Sequence, residues 1–138
     1  MNILKGCCAS LAFIAALAVG VPSYAHHATQ AEFDQNNVVT IKGVMTRVMW
    51  VNPHVNWHMD VKNADGTTID WTIVGAGPGN FRAIGLSGRD FFKMGEVYSA
   101  SIALARNGSS RGHIMSFITP DGKTLKIWTG NGDDPLGR

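Results

Sequence analysis

Cysteine is nearly absent from this chain, because its 138 residues hold only Cys7 and Cys8, which stand side by side. Both lie in the first 25 residues, which we interpret as a cleavable leader, so the mature chain is expected to carry no thiol. That absence excludes disulfide bonds and cysteine-ligated metal sites from the mature protein. The core alone must therefore stabilise it, and the remaining length suits one domain.

Long hydrophobic runs are missing as well. The apolar stretch at residues 9–21 follows Lys5. It is shorter than the about 20 residues of a membrane-spanning helix, but it fits the centre of a secretory signal peptide. Pro22 ends the stretch, and Ala25 is the small residue that a signal peptidase requires before the cut. We expect cleavage between Ala25 and His26, a periplasmic or secreted mature protein, and no retained membrane anchor.

Clusters of like charge are also absent. Twelve Lys and Arg residues stand against ten Asp and Glu, for a formal net charge of +2, and they are spread along the chain. Proteins that bind nucleic acid usually gather basic residues in one run or on one face. The sequence therefore predicts no nucleic-acid partner.

Apolar residues recur at every second position from residue 38 onward, with β-branched and aromatic side chains between turn signals. This spacing is typical of half-buried strands and predicts a mainly β protein. Gly43 is expected to bend the first strand. Trp57 and Trp71 fall on inward positions of neighbouring strands, which favours core packing over a stacking platform. The predicted strands cover residues 38–51, 54–62, 68–73, 98–104, 113–119 and 124–128.

A short helix is predicted between the third and fourth strands, at residues 80–84, with Asn80 as its cap and Gly85 at its end. Three meander strands, a helix and two or three further strands follow the chain order of an OB-type fold. We therefore predict a small OB-like barrel of five to six strands with one short helix; the alternative is an open β-sandwich. The predicted parts are a signal peptide (1–25), an N-terminal arm (26–37), the OB-like domain (38–129) and a disordered tail (130–138).

Histidine is the residue type that could carry chemistry in a mature chain without cysteine. Two positions four apart on one strand face are separated by about 13 Å, so His54 and His58 should not bind one ion together. The candidates are His26, His27, His54, His58 and His113.

The predicted cleavage gives His26 a special role. A first-residue histidine offers both its α-amine and its imidazole to one ion, and His27 or His54 could add a further nitrogen. Such nitrogen sets suit Cu(II) above other divalent ions, with Zn(II) or Ni(II) behind it. The metal candidates are therefore His26, His27 and His54, while His58 and His113 rank below them.

Simpler interpretations remain open beside the metal site. The His26-His27 pair is also compatible with a loose, solvated chain start. His54 stands at the Asn52-Pro53 corner between two strands, where it could brace the corner through a backbone hydrogen bond or point at the N-terminal arm.

The sequence gives little indication of an enzyme. Glu32, Asp34, Asp60 and Asp70 are candidate acids or bases, but they form no recognisable pair. No nucleophile motif accompanies them, so no reaction is predicted.

Several segments together resemble an exported bacterial family known as domain of unknown function 6152. The most specific are His26-His27 followed by Glu32-Phe33-Asp34, and the corner from Trp50 through Asn52 and Pro53 to His54. The resemblance covers nearly all of the mature chain. It implies a small periplasmic domain of β-barrel type without an assigned activity.

Two functions stay open at this point. The first is a periplasmic protein that binds a transition metal, copper above others, through the N-terminal histidine cluster. The alternative is a non-metal envelope adaptor or ligand-binding OB-like module, whose partner is an envelope protein or a small ligand.

Overall fold

The computed structural model describes residues 25–83, 85–86 and 91–127, with side chains from residue 29 onward. Apart from Ala25, the predicted signal peptide lies outside these ranges, and so does the predicted tail at 130–138. No helix within the described ranges is long and apolar enough to cross a membrane. The elements are α1 (Ala25–Glu32), β1 (Phe33–Trp50), β2 (Val55–Lys62), β3 (Thr68–Val74), α2 (Pro78–Ala83), β4 (Val97–Ala105), β5 (Arg111–Ile118) and β6 (Thr124–Lys126).

The strands form one sheet that closes on itself. Their order is β3-β2-β1-β4-β5-β6, with antiparallel neighbours. An additional parallel pairing between β3 and β5 sets Thr72 beside Arg111 and Val74 beside His113, which joins β1 to β5 into a ring. A ring of five strands with a helix between β3 and β4 is an OB-like arrangement. The predicted mainly β, OB-like fold class is confirmed, and the sheet does not split into the two layers of a β-sandwich.

The long strand β1 makes the ring possible because it pairs on both of its edges. It pairs with β4 as far as Val44 and with β2 from Val44 onward. Gly43 lies at this changeover, where a Cβ atom would come within 2.5 Å of the Asp60 carbonyl oxygen. The glycine predicted as a bend is thus required by the close approach of the β2 backbone.

The start of β1 differs from the prediction. The strand begins at Phe33 rather than at residue 38, so the predicted boundary between arm and barrel runs through it. Asp34 pairs with Leu104 and Val38 with the adjacent Ala103, which leaves residues 35–37 bulged out of the ladder. The alternation of apolar residues is interrupted at this bulge. The spacing of apolar residues therefore does not reveal that the strand begins before residue 38.

The helix α2 also begins earlier than predicted. It starts at Pro78, and a proline is well suited to the first helical position because its missing N–H needs no partner there. Asn80 is therefore not the cap, and its own backbone N–H donates to Gly77 O at 3.0 Å. Gly85 ends the helix as expected, with a left-handed φ of +73°.

The main core fills the inside of the ring. Trp57, a fully buried side chain, packs edge-on against Phe81, Phe92 and Phe117 with ring centroids 5.3 to 5.6 Å apart. Trp71 packs partly buried against the same cluster. Both tryptophans thus serve the core, as predicted.

A second, smaller core lies on the other side of the sheet. It consists of Phe33, Val74, Ala103 and Ala105, with Met115 packed against it. Phe33 comes from the start of β1 and is 1% exposed, so the N-terminal segment folds back and covers this side of β4 and β5. The fold therefore fixes the end of α1 beside the start of β5.

Candidate functional site

A cleft of about 210 Å³ opens where the end of α1, the corner between β1 and β2, and the start of β5 meet. We call it the corner cleft. The apolar part of its lining includes Phe33, Pro53 and Val74. Its polar lining consists of Thr29, Glu32, Asn52, His54, Asn56, Arg111 and His113.

His54 is held at the corner by a hydrogen bond to the backbone. Its Nδ1 lies 3.0 Å from the carbonyl oxygen of Gly75. A carbonyl oxygen can only accept, so Nδ1 carries the proton of the neutral ring and Nε2 keeps its lone pair. The Val55 N–H donates to Ala76 O at 3.0 Å and the Gly75 N–H donates to Val55 O at 2.9 Å, which fixes the two segments against each other.

This hydrogen bond bears on both alternatives for His54. The ring braces the corner, as one of them expects. The same bond orients the ring and leaves the other nitrogen for a further contact, so bracing and ligation are compatible.

His113 forms the inner wall of the cleft. It lies on β5, opposite Ala103 on β4 and beside Val74 on β3. The residue is 5% exposed, and its ring centroid lies 5.8 Å from that of Phe33. Burial, with a smaller contribution from the nearby His54, lowers the pKa of His113 to about 4. Its ring is therefore neutral at neutral pH.

Polar contacts tie the end of α1 to the strands beneath the cleft. Arg111 Nη1 lies 2.7 Å from Glu32 Oε1, and both side chains are about two-fifths exposed. The Arg106 backbone N–H donates to Glu32 O at 2.9 Å, and Arg106 Nε donates to Gln30 O at 3.2 Å. An exposed ion pair contributes at most about 1 kcal/mol, whereas burying a phenylalanine contributes about 2 kcal/mol. Phe33 is thus the stronger anchor of this segment.

A family model matches residues 14–114, which include the whole corner cleft. The chain belongs to the family of unknown function DUF6152. The resemblance noted in the sequence is thereby confirmed.

Among solved structures, the DUF6152 chain is similar to the N-terminal domain of PriB from Thermoanaerobacter tencongensis, described as dimeric. The two share 14% identity with a TM-score of 0.42, over 62% of this chain and 97% of that one. No curated protein matches the chain.

The N-terminal histidines of the DUF6152 chain lie in the first turn of α1. His26 is three residues before Thr29, which lines the corner cleft. The side chains of His26 and His27 lie outside the described part of the structure. The predicted trio of His26, His27 and His54 thus has only its third member placed in side-chain detail.

His58 lies apart from the cleft, on the polar face of β2. Its Nδ1 is 3.2 Å from Asp70 Oδ2, and its Nε2 is 3.1 Å from Arg47 Nη2. The side chain is only 12% exposed, so it is more enclosed than a freely solvated histidine. A neutral ring that donates from Nδ1 to Asp70 and accepts from Arg47 satisfies both nitrogens. His58 is therefore placed outside the corner cleft, with Asp70 and Arg47 as its partners.

From the sequence, His113 ranks with His58 below His26, His27 and His54, yet in the structure it lines the same cleft as His54. Its neighbour Gly112 faces the other side of β5. A Cβ at Gly112 would lie 2.6 Å from the Ile102 side chain, so β5 is closely packed on that face. Because His113 points to the opposite face of the strand, its burial depends on Phe33 folding over it.

Two imidazoles line the corner cleft, and Glu32 adds a carboxylate. Among the side chains that the structure describes, no group of three His, Cys, Asp or Glu could hold a metal ion. A complete metal site at this place would need a further ligand from outside the described side chains.

Proposed function

We propose that the mature chain is an exported, periplasmic metal-binding protein that holds a transition-metal ion, copper above others, in the corner cleft. His54 and the processed N-terminus at His26, with His27, supply the ligands. The observation that carries this proposal is the hydrogen bond from His54 Nδ1 to Gly75 O.

The His54 hydrogen bond supports ligation because metal-binding histidines nearly always donate their other ring N–H to a carbonyl or carboxylate. That second contact fixes the tautomer and the ring orientation before the ion arrives. In His54, Nδ1 donates to Gly75 O, which leaves Nε2 as the ligand atom.

The position of α1 supports the role of the N-terminus. This helix begins at the predicted cleavage point, and residues 29 and 32, near its end, line the cleft. Cleavage before His26 frees an α-amine that, with the His26 imidazole, chelates an ion from a single residue. His54 or His27 then adds a third nitrogen, and nitrogen-only sets favour Cu(II).

The size of the cleft favours an ion over an organic ligand. Sites for drug-sized molecules run from about 300 to 1,000 Å³, whereas the corner cleft measures about 210 Å³. It has room for an ion with water molecules.

Calorimetric titration with Cu(II) tests the proposal on mature protein that begins at His26. We expect one site with a dissociation constant below about 1 μM. His54→Asn removes Nε2 and should weaken binding by about tenfold or more. His58→Asn is the matched control outside the cleft and should leave the affinity unchanged.

Equal affinity of the His54→Asn and His58→Asn variants would contradict the proposal. A mature chain that takes up no copper, zinc or nickel but is retained on an envelope component would support the alternative of a non-metal adaptor.

A further inference from the structure

His113 is a buried histidine on a different element from His54, and both side chains line the same cleft. The proposed function uses only His54 and the N-terminus. The role of the His113 imidazole in the lining of this cleft is therefore unassigned.

We infer that His113 is a further ligand of the same ion, so that one ion connects β5, the corner between β1 and β2, and the N-terminal helix. The inference rests on the proposed function. Its geometric basis is that β5 and the corner each place one imidazole in the lining of the same cleft of about 210 Å³.

His54 and His113 are also close to each other. Burial is the main cause of the lowered pKa of His113, and the nearby His54 is the smaller one. The two rings are therefore neighbours within one cleft lining.

The packing around His113 would hold its ring for ligation. Phe33 covers it from the N-terminal side, and Val74 and Ala103 flank it on the neighbouring strands. A ring held in this way loses little freedom when it binds an ion, which favours affinity.

The competing explanation is that His113 only packs against Phe33. His113→Phe separates the two roles, since it keeps an aromatic ring in the second core and removes both nitrogens. His58→Phe makes the same change outside the cleft and serves as the control.

The experiment is Cu(II) binding to mature protein, followed by calorimetry and by the nitrogen hyperfine pattern in electron paramagnetic resonance. We expect His113→Phe to raise the dissociation constant by about tenfold or more and to remove one coordinated nitrogen. The His58→Phe control should match the wild type in both measurements.

Wild-type protein gives a second measurement that does not depend on whether the variant folds. Substoichiometric Cu(II) should broaden the ring resonances of His54 and His113 in nuclear magnetic resonance spectra and spare those of His58. Broadening at His54 with an unaffected His113 ring would overturn the inference.

The outcomes also separate the two proposals. If wild-type protein binds no Cu(II), the proposed function fails and this inference fails with it. If His54→Asn weakens binding while His113→Phe matches the wild type in affinity and in nitrogen count, only the inference on His113 is overturned.

Discussion

At the scale of single residues, the corner cleft is defined by two histidines whose surroundings differ. His54 stands on the exposed corner, where one backbone hydrogen bond orients it. His113 is buried, with its ring against that of Phe33, and burial is the main cause of its lowered pKa. The same residue type is therefore oriented by a hydrogen bond at one wall and by packing at the other.

The low pKa of His113 predicts how the stability of the metal-free chain depends on pH. The folded-state pKa of about 4 lies below the ordinary histidine value of 6.5, so the unfolded chain takes up a proton first as the pH falls. The free energy of unfolding should be independent of this group above about pH 6.5, decline between about 6.5 and 4, and level off below. The loss amounts to about 3 kcal/mol.

Urea denaturation at several pH values between 7 and 4 measures this decline. His54, Glu32 and Arg111 line the same cleft, so His113→Phe is needed to isolate the contribution of His113. The variant should show a shallower decline than the wild type, and His58→Phe should not. An unchanged slope in His113→Phe would contradict the assignment.

At the scale of elements, the start of β1 acts as a clasp over β5. Phe33 inserts into the second core, while Glu32 and Arg111 form an exposed ion pair beside it. The buried ring contributes more than the ion pair, so the position of α1 over the cleft depends mainly on Phe33.

Phe33→Ala should lower the free energy of unfolding by about 3 kcal/mol or more, because it leaves a cavity in a closely packed cluster. It should also expose the His113 ring and raise its pKa toward 6.5. Glu32→Gln is the matched neighbour and should cost less than about 1 kcal/mol. Urea denaturation measures the loss of stability, and titration of the ring resonances measures the pKa. If both variants lowered the free energy of unfolding equally, Phe33 would not be the main anchor of this segment.

The strands that alternate regularly could be predicted from the sequence, because β2 and β3 each have one face in the main core. The order of the elements also followed from local signals. The first residues of β1 and the burial of His113 could not be predicted in this way. Both result from Phe33 packing on a strand far along the chain, and no local pattern at Phe33 or His113 encodes that contact.

The sequence also predicted only part of the candidate site, because the rest of the site depends on contacts between distant parts of the chain. His54 stands out at the Asn52-Pro53 corner, and a backbone hydrogen bond was among the alternatives for it, although its partner, Gly75 O, could not be predicted. The pairing of β3 with β5, which brings His113 to the same cleft, depends on the closed ring and leaves no mark in the spacing of the histidines.

At the scale of the whole molecule, the closure of the ring and the folding back of the N-terminal segment bring residues together at the corner cleft. The parallel pairing of β3 with β5 sets Val74 beside His113, and the corner between β1 and β2 adds His54 to the lining of the same cleft. The helix α1, which starts at the predicted cleavage point, adds Thr29 and Glu32 to this lining. The central proposal is that the N-terminus produced by the predicted cleavage completes a metal site in the corner cleft.

Native mass spectrometry of the mature chain, with and without Cu(II), tests this claim most directly. The comparison chain retains Ala25, so that the His26 amine is part of a peptide bond. In the presence of excess glycine as a weak competitor, we expect one retained copper ion on the chain that begins at His26 and none on the chain that begins at Ala25. Copper-free spectra for both chains, or one copper ion retained equally by both, would contradict it.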